Sequence, residues 1–167
     1  MTTNILITGA TGSIGANAVM FFLNRGYAVR AQVRPGSRQL HKMTGLNAEI
    51  CAVDLCDRDG LADLVKGVDI VLHLGARVPK GNPSDREYLD VNVGATLALL
   101  EGVRTHNKNL QRFVYASTCA LYEFVGWQTS PITEANRFTD PIGMYRVTKR
   151  AAELIVNSYH QQHGIPT

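Results

Sequence analysis

Cysteine is scarce in this chain: three residues in 167, namely Cys51, Cys56 and Cys119. The number is odd and no CxxC pair occurs. The start, MTTNILITGATG, lacks the basic region and the small-residue cleavage site of a secretion signal. The three thiols therefore read as reduced, in a cytoplasmic protein. No apolar run approaches the roughly 18 residues of a membrane span. Charge of one sign is in short supply too. The formal net charge is +3, and it is scattered. No nucleic-acid or anionic-membrane patch is read from it. Internal repeats, low-complexity tracts and linkers are also missing. What remains is ordinary globular composition, 45% apolar, 19% charged and 7% aromatic, which excludes disorder and collagen-like repeats. A chain of this size predicts one domain, able to bury roughly 70% of its unfolded surface.

Short β-rich apolar runs alternate with longer helical patterns. The expected strands are 5–7, 27–33, 49–53, 69–74 and 113–116. The expected helices are 13–25, a weak one at 37–45, 57–66, 85–106 and 142–162, with a loop over 119–140 broken by Pro131 and Pro141. This rhythm predicts an α/β, doubly wound Rossmann fold: a parallel sheet in the order 3-2-1-4-5 with helices on both faces. Ligands of such sheets sit at the carboxyl ends of the strands, where the order reverses between strands 1 and 4.

The first strand runs into Thr8-Gly9-Ala10-Thr11-Gly12-Ser13-Ile14-Gly15. Gly9 suits a tight turn, Gly12 a close approach to a pyrophosphate, and Gly15 close helix–strand packing. The free amides of the helix N-terminus complete an anion site. Gly9, Thr11, Gly12, Ser13, Ile14 and Gly15 are therefore candidate dinucleotide contacts. Strand 2 ends at Arg34 with no acid nearby, although an acid there would grip the ribose 2′-hydroxyl of NAD. Arg34 predicts NADP over NAD, since a guanidinium can hold a 2′-phosphate; Arg30 and Arg38 lie close in sequence. Asp54-Leu55 end strand 3, where Asp54 can accept from adenine, cap the next helix, or do both. Leu74, Gly75 and Ala76 end strand 4 and would let a cofactor lie against the backbone. His73 before them reads as a packed histidine rather than a catalyst.

Tyr145 and Lys149 are i and i+4 on the last helix and project from one face. An ammonium beside a phenol favours the phenolate, which can then give or take a proton at a carbinol oxygen. Thr118, after strand 5, can hold that oxygen, with Ser117 as its neighbour. The candidate catalytic set is Thr118, Tyr145 and Lys149. His160 and His163 read as helix-end cations rather than metal ligands. No metal site is expected. Cys119 reads as a packed side chain, and Trp127 touches either substrate or its own loop.

The chain resembles the N-terminal half of an extended short-chain dehydrogenase/reductase, the group that includes nucleotide-sugar epimerases and dehydratases and dihydroflavonol-reductase-like enzymes. TGATGSIG at 8–15 is similar to the family's TGxxGxxG. DL at 54–55, HLGA at 73–76, YASTCALY at 115–122 and YRVTK at 145–149 are similar to its further motifs. The resemblance implies that Tyr145 is the acid/base and Lys149 its helper. It also implies that Asn92, in DVNVGATLALLEG, supports the site structurally. Glu123 and Arg146 stand where sugar-nucleotide enzymes often have Gly, and VRAQVRP looks like NADP-dependent reductases; the run at 131–134 does not discriminate.

The leading expectation is an NADP-dependent oxidoreductase reducing a carbonyl or oxidising an alcohol. The alternatives are a nucleotide-sugar epimerase or dehydratase with tightly held NAD(P), and a non-catalytic dinucleotide-binding sensor. The resemblance further suggests a homodimer through the long helices, with Leu97, Leu100 and Ile155 serving either its seam or the domain's own packing. Gly164 to Thr167 reads as the lead-in to a sixth strand, so residues 1–167 are expected to be a Rossmann domain cut before its substrate-binding part.

Overall fold

A computed structural model describes residues 2–122, 133 and 142–167. Five strands, Asn4–Thr8 (β1), Ala28–Val33 (β2), Glu49–Ala52 (β3), Ile70–His73 (β4) and Arg112–Tyr115 (β5), form one parallel sheet in the order β3-β2-β1-β4-β5. This is the order expected from the βαβ rhythm. The helices are Ser13–Leu23 (α1), Arg58–Leu64 (α2), Asp85–Tyr88 (α3), Ala95–His106 (α4) and Met144–His163 (α5). Glu123, Trp127, Pro131, Ile132, Glu134 and Pro141 lie outside the described residues.

The two-residue alternation of β1 explains the layers. Ile5 and Ile7 point to one face, where they pack with Val19 of α1 and with Val29, Ala31 and Val33 of β2. Leu6 points to the other face, joining Val71 and Phe113 beneath α2, α4 and α5. Burying each such side chain contributes about 1.5–3 kcal/mol. Both faces are thus covered, which is why the strands read as nearly continuous apolar runs.

Several expected elements are shorter or different. The weak helix at 37–45 is only a 3₁₀ turn, Leu40–Met43. The second helix begins at Arg58 because Asp57, not Asp54, is its cap: the Asp57 carboxylate accepts from the Gly60 amide at 3.0 Å. The continuous helix expected over 85–106 contains a wider π-type stretch, Leu89–Gly94, between α3 and α4. Hydrophobic spacing does not register that insertion, because Tyr88, Ala95, Leu99 and Val103 still fall on the buried side. At the other end of the chain, Pro166 accepts a hydrogen bond from the Phe113 amide of β5 at 2.7 Å, and Ile165 is buried.

Candidate dinucleotide and acid–base site

The glycine loop joins β1 to α1 at the carboxyl end of the sheet. Gly9 has φ +65°, a left-handed conformation that L side chains rarely adopt. Its backbone touches that of Gly75: a Cβ at Gly9 would lie 2.8 Å from Gly75 Cα. Gly15 is tighter still, since a Cβ there would lie 2.2 Å from the Gly9 carbonyl oxygen. Gly12 precedes α1 and no side chain caps that helix. The first amides of α1 are therefore left to an external acceptor, and the helix dipole favours an anion there. Thr11 is half-buried, whereas Ser13 and Ile14 are exposed, Ile14 by 70%. A crowded, glycine-built cradle beneath free amides fits a pyrophosphate.

Gln32 braces this loop. Its carboxamide accepts from the Gly9 amide at 2.8 Å and donates to the Val53 carbonyl at 2.6 Å, while its own carbonyl accepts from the Ala10 amide. No motif or spacing in the sequence points to this role. The available signal was one polar residue inside the apolar run of β2, and it is 1% exposed.

Arg34 is exposed at the end of β2 and carries no ion pair among the described residues. Arg30 is not part of that end. It pairs with Glu49 and donates to the carbonyls of Leu64 and Lys66 at the C-terminus of α2, so it is a helix cap there. Lys42 reaches the loop, donating to the Thr11 carbonyl at 3.1 Å. The Asp54 carboxylate accepts from the Cys56 amide at 2.9 Å. Leu55 packs over Gly75, where a Cβ would lie 2.9 Å from a Leu55 methyl. Burial first, then the neighbouring carboxylates of Glu49 and Asp54 respectively, raises the thiols of Cys51 and Cys56 above their ordinary value.

His73 is the hub behind the strand ends. Thr8 Oγ1 accepts from the Leu74 and Gly75 amides and lies 2.7 Å from His73 Nδ1. With both acceptor positions used, the Thr8 hydroxyl donates to Nδ1. On the other side Thr96 donates to the Asn92 carbonyl and so accepts from His73 Nε2–H at 3.1 Å. The chain of bonds fixes one neutral tautomer. Burial, then the charge of Lys149, pushes the imidazole pKa down to about 3. The packed role expected for His73 is what the structure shows.

Asn92, in the π-type stretch, extends the network. It accepts from the Arg77 amide at 2.7 Å and donates to the Arg77 carbonyl and to the Thr148 hydroxyl. One side chain thereby ties the loop after β4 to α5. π-type turns recur at functional sites for this kind of re-aiming.

Tyr145 stands in the first turn of α5, its ring 6.3 Å from that of Tyr88. Lys149, one turn on, is 4% exposed. Its ammonium donates to the Ala116 carbonyl just beyond β5, and burial pulls its pKa down to about 8. Thr118 is two residues further along. Its hydroxyl oxygen accepts from the Ala120 amide at 3.3 Å, leaving its proton free to donate. Ser117 and Cys119 are exposed. Among the described residues no hydrogen bond joins Thr118 to Tyr145; the link between their elements is Lys149 to Ala116. His160 donates through Nδ1 to the Ile165 carbonyl at the end of α5, and the His163 ring packs on Tyr159.

A parallel sheet with an anion cradle at its switch point, beside a Tyr–Lys pair, defines a nicotinamide-dinucleotide-binding domain. The chain belongs to the NAD dependent epimerase/dehydratase family, whose model matches residues 5–167. A Bacillus subtilis protein described as an uncharacterized UDP-glucose epimerase is 33% identical over 97% of this chain and 53% of its own length. A Mycobacterium tuberculosis 3 beta-hydroxysteroid dehydrogenase/Delta 5→4-isomerase is 32% identical over 98% of the chain and 44% of its own length. The structure of UDP-glucuronic acid 4-epimerase from Bacillus cereus in complex with NAD superposes with a TM-score of 0.81, at 26% identity, covering 98% of this chain and 54% of that one. The chain spans about half the length of the curated relatives it matches.

Proposed function

We propose that this domain serves an NADP-dependent oxidoreductase that interconverts a carbonyl and an alcohol. The observation that carries the acid–base part is the nearly buried Lys149, anchored to the Ala116 carbonyl one turn from Tyr145. A bound nicotinamide dinucleotide supplies hydride-transfer chemistry at such a site. Gly9, Thr11, Gly12, Ser13, Ile14 and Gly15 would hold its pyrophosphate, Asp54 and Leu55 its adenine, and Leu74, Gly75, Ala76, Tyr145 and Lys149 its nicotinamide side. Tyr145 gives a proton to a carbonyl oxygen or takes one from an alcohol. Thr118 donates a hydrogen bond to that oxygen, and Lys149 places its ammonium one turn along the helix from Tyr145.

The preference for NADP rests on Arg34, an exposed cation without an ion-pair partner among the described residues, and on the absence of a carboxylate at the end of β2. Arg34→Ala should weaken NADP(H) binding more than tenfold and leave NAD(H) binding unchanged, as measured by calorimetry. Tighter binding of NAD(H) by the unaltered protein would overturn the preference.

The names of the relatives favour a second reading, an epimerase or dehydratase acting on a nucleotide sugar with its dinucleotide retained. Following NADPH absorbance with carbonyl substrates separates the two, since only the first gives net oxidation. Tyr145→Phe should abolish turnover in either case while dinucleotide binding persists. Binding without turnover of any substrate would instead favour a sensor.

A homodimer across α4 and α5 belongs to the same reading. Leu97 and Leu154 are exposed on those helices, whereas Leu100 is fully buried within the domain and is no seam residue. Ile155 is half-buried and packs against the domain's own core.

A further inference from the structure

Tyr115 closes β5, and its ring adjoins two groups of the site. The Lys149 ammonium lies over it, 4.3 Å from the ring centroid. The His73 ring lies 5.7 Å away, centroid to centroid, paired with Tyr115 in the β4–β5 register. The Tyr115 hydroxyl is buried and has no hydrogen-bond partner among the described residues. Buried hydroxyls are nearly always paired. Among the described residues, Tyr115 is therefore engaged through its ring and not through its hydroxyl.

Lys149 needs such a ring. An ammonium has three donors, and the Ala116 carbonyl takes one. The negative face of the aromatic ring beneath it also favours a cation in an apolar setting. We propose that the Tyr115 ring is the seat of the Lys149 ammonium, a positioning residue whose π face fixes the cation one turn below Tyr145, its hydroxyl taking no part. The proposal builds on the pairing of Lys149 with Tyr145.

Among the described residues, few charged or titratable groups act on the ammonium. Glu153 on α5 favours the charged form, burial opposes it, and the net position is about 8. His73 on β4 stays neutral, and burial, with Glu153 and Tyr145, holds the Tyr115 phenol protonated far above its ordinary range.

The test is a direct titration of Lys149, read from its Cε resonance by NMR in protein labelled with ¹³C-lysine and assigned by the peak lost in Lys149→Arg. Tyr115→Phe should titrate with the unaltered protein and melt at the same temperature or higher, because a buried hydroxyl with no partner among the described residues has been removed. In Tyr115→Leu the aliphatic side chain no longer favours the cation, so the midpoint should fall by about one pH unit, a tenfold change in the protonation equilibrium. Pentafluorophenylalanine at position 115 keeps the shape and drains the ring's negative face. It should lower the midpoint likewise, and it decides the matter if the leucine variant does not fold. The seat is overturned if the leucine and fluorinated proteins titrate with the unaltered one, or if Tyr115→Phe moves as far as Tyr115→Leu. These readings do not involve turnover, so they stand apart from the Tyr145→Phe assay that tests the acid–base assignment.

Discussion

Thr8 and His73 are 65 residues apart in the chain and 2.7 Å apart in the fold, and the hydroxyl of one donates to the ring nitrogen of the other. Because Thr8 also takes the amides of Leu74 and Gly75, this single contact locks the end of β1 to the end of β4. The switch point of the sheet is thereby built around a histidine that has no room for a second proton.

That histidine should make the fold acid-labile. Its folded pKa, about 3, lies below the unfolded value of 6.5, so the unfolded chain takes up a proton first as pH falls. The contribution is fully present above pH 6.5 and is lost between 6.5 and 3. At pH 5 the loss amounts to about 2 kcal/mol. Urea unfolding at pH 7 and pH 5 should show this difference, and His73→Gln should flatten it. Carboxylates held low by their partners, such as Glu87 and Glu101, enter only below their ordinary values and do not mimic it at pH 5. Equal pH dependence in the two proteins would contradict the assignment.

Gly15→Ala should damage the cradle. The new methyl would sit 2.2 Å from the Gly9 carbonyl oxygen and 2.9 Å from Ala10 Cα, both backbone atoms with little room to yield. The expected cost is about 1–3 kcal/mol of stability, with dinucleotide affinity down at least tenfold. Gly94→Ala is the control, because its added carbon would meet nothing nearer than 3.7 Å and its φ is already helical. Thermal melts and a binding titration on both proteins read the contrast.

The two aspartates near β3 should separate cleanly. Asp57→Ala removes the cap of α2 and should cost about 1 kcal/mol, a drop of about 2–4 °C in Tm, with dinucleotide binding intact. Asp54→Ala loses only the turn contact to Cys56 and should instead weaken binding through the adenine side. A larger stability loss at Asp54 than at Asp57 would reverse the roles.

The strand order was legible because each buried strand announces itself as a short apolar run, and handed crossovers leave few ways to arrange five of them. The glycine cradle was legible because tight backbone approaches admit no other residue. Helix caps were less so: Asp54 and Asp57 are chemically identical signals three residues apart, and only the folded turn decides between them. Gln32 and Thr96 were not legible because their partners, Gly9 and His73, are distant in sequence and hydrogen-bonding residues carry no periodicity. The capping role of Arg30 is hidden for the same reason, since its acceptors, the Leu64 and Lys66 carbonyls, meet it only in the fold.

The widened stretch Leu89–Gly94 holds more residues per turn than an α-helix does. It is in effect a stored insertion within an otherwise regular rod. Removing one residue there would let the segment relax to ordinary helix and swing everything before it by about 100°. Tyr88 would then leave the neighbourhood of the Tyr145 ring, and the Asn92 clamp on Arg77 and Thr148 would open. A single-codon deletion in this stretch would therefore dismantle the site while leaving the Ala95–His106 helix and its packing on the sheet intact.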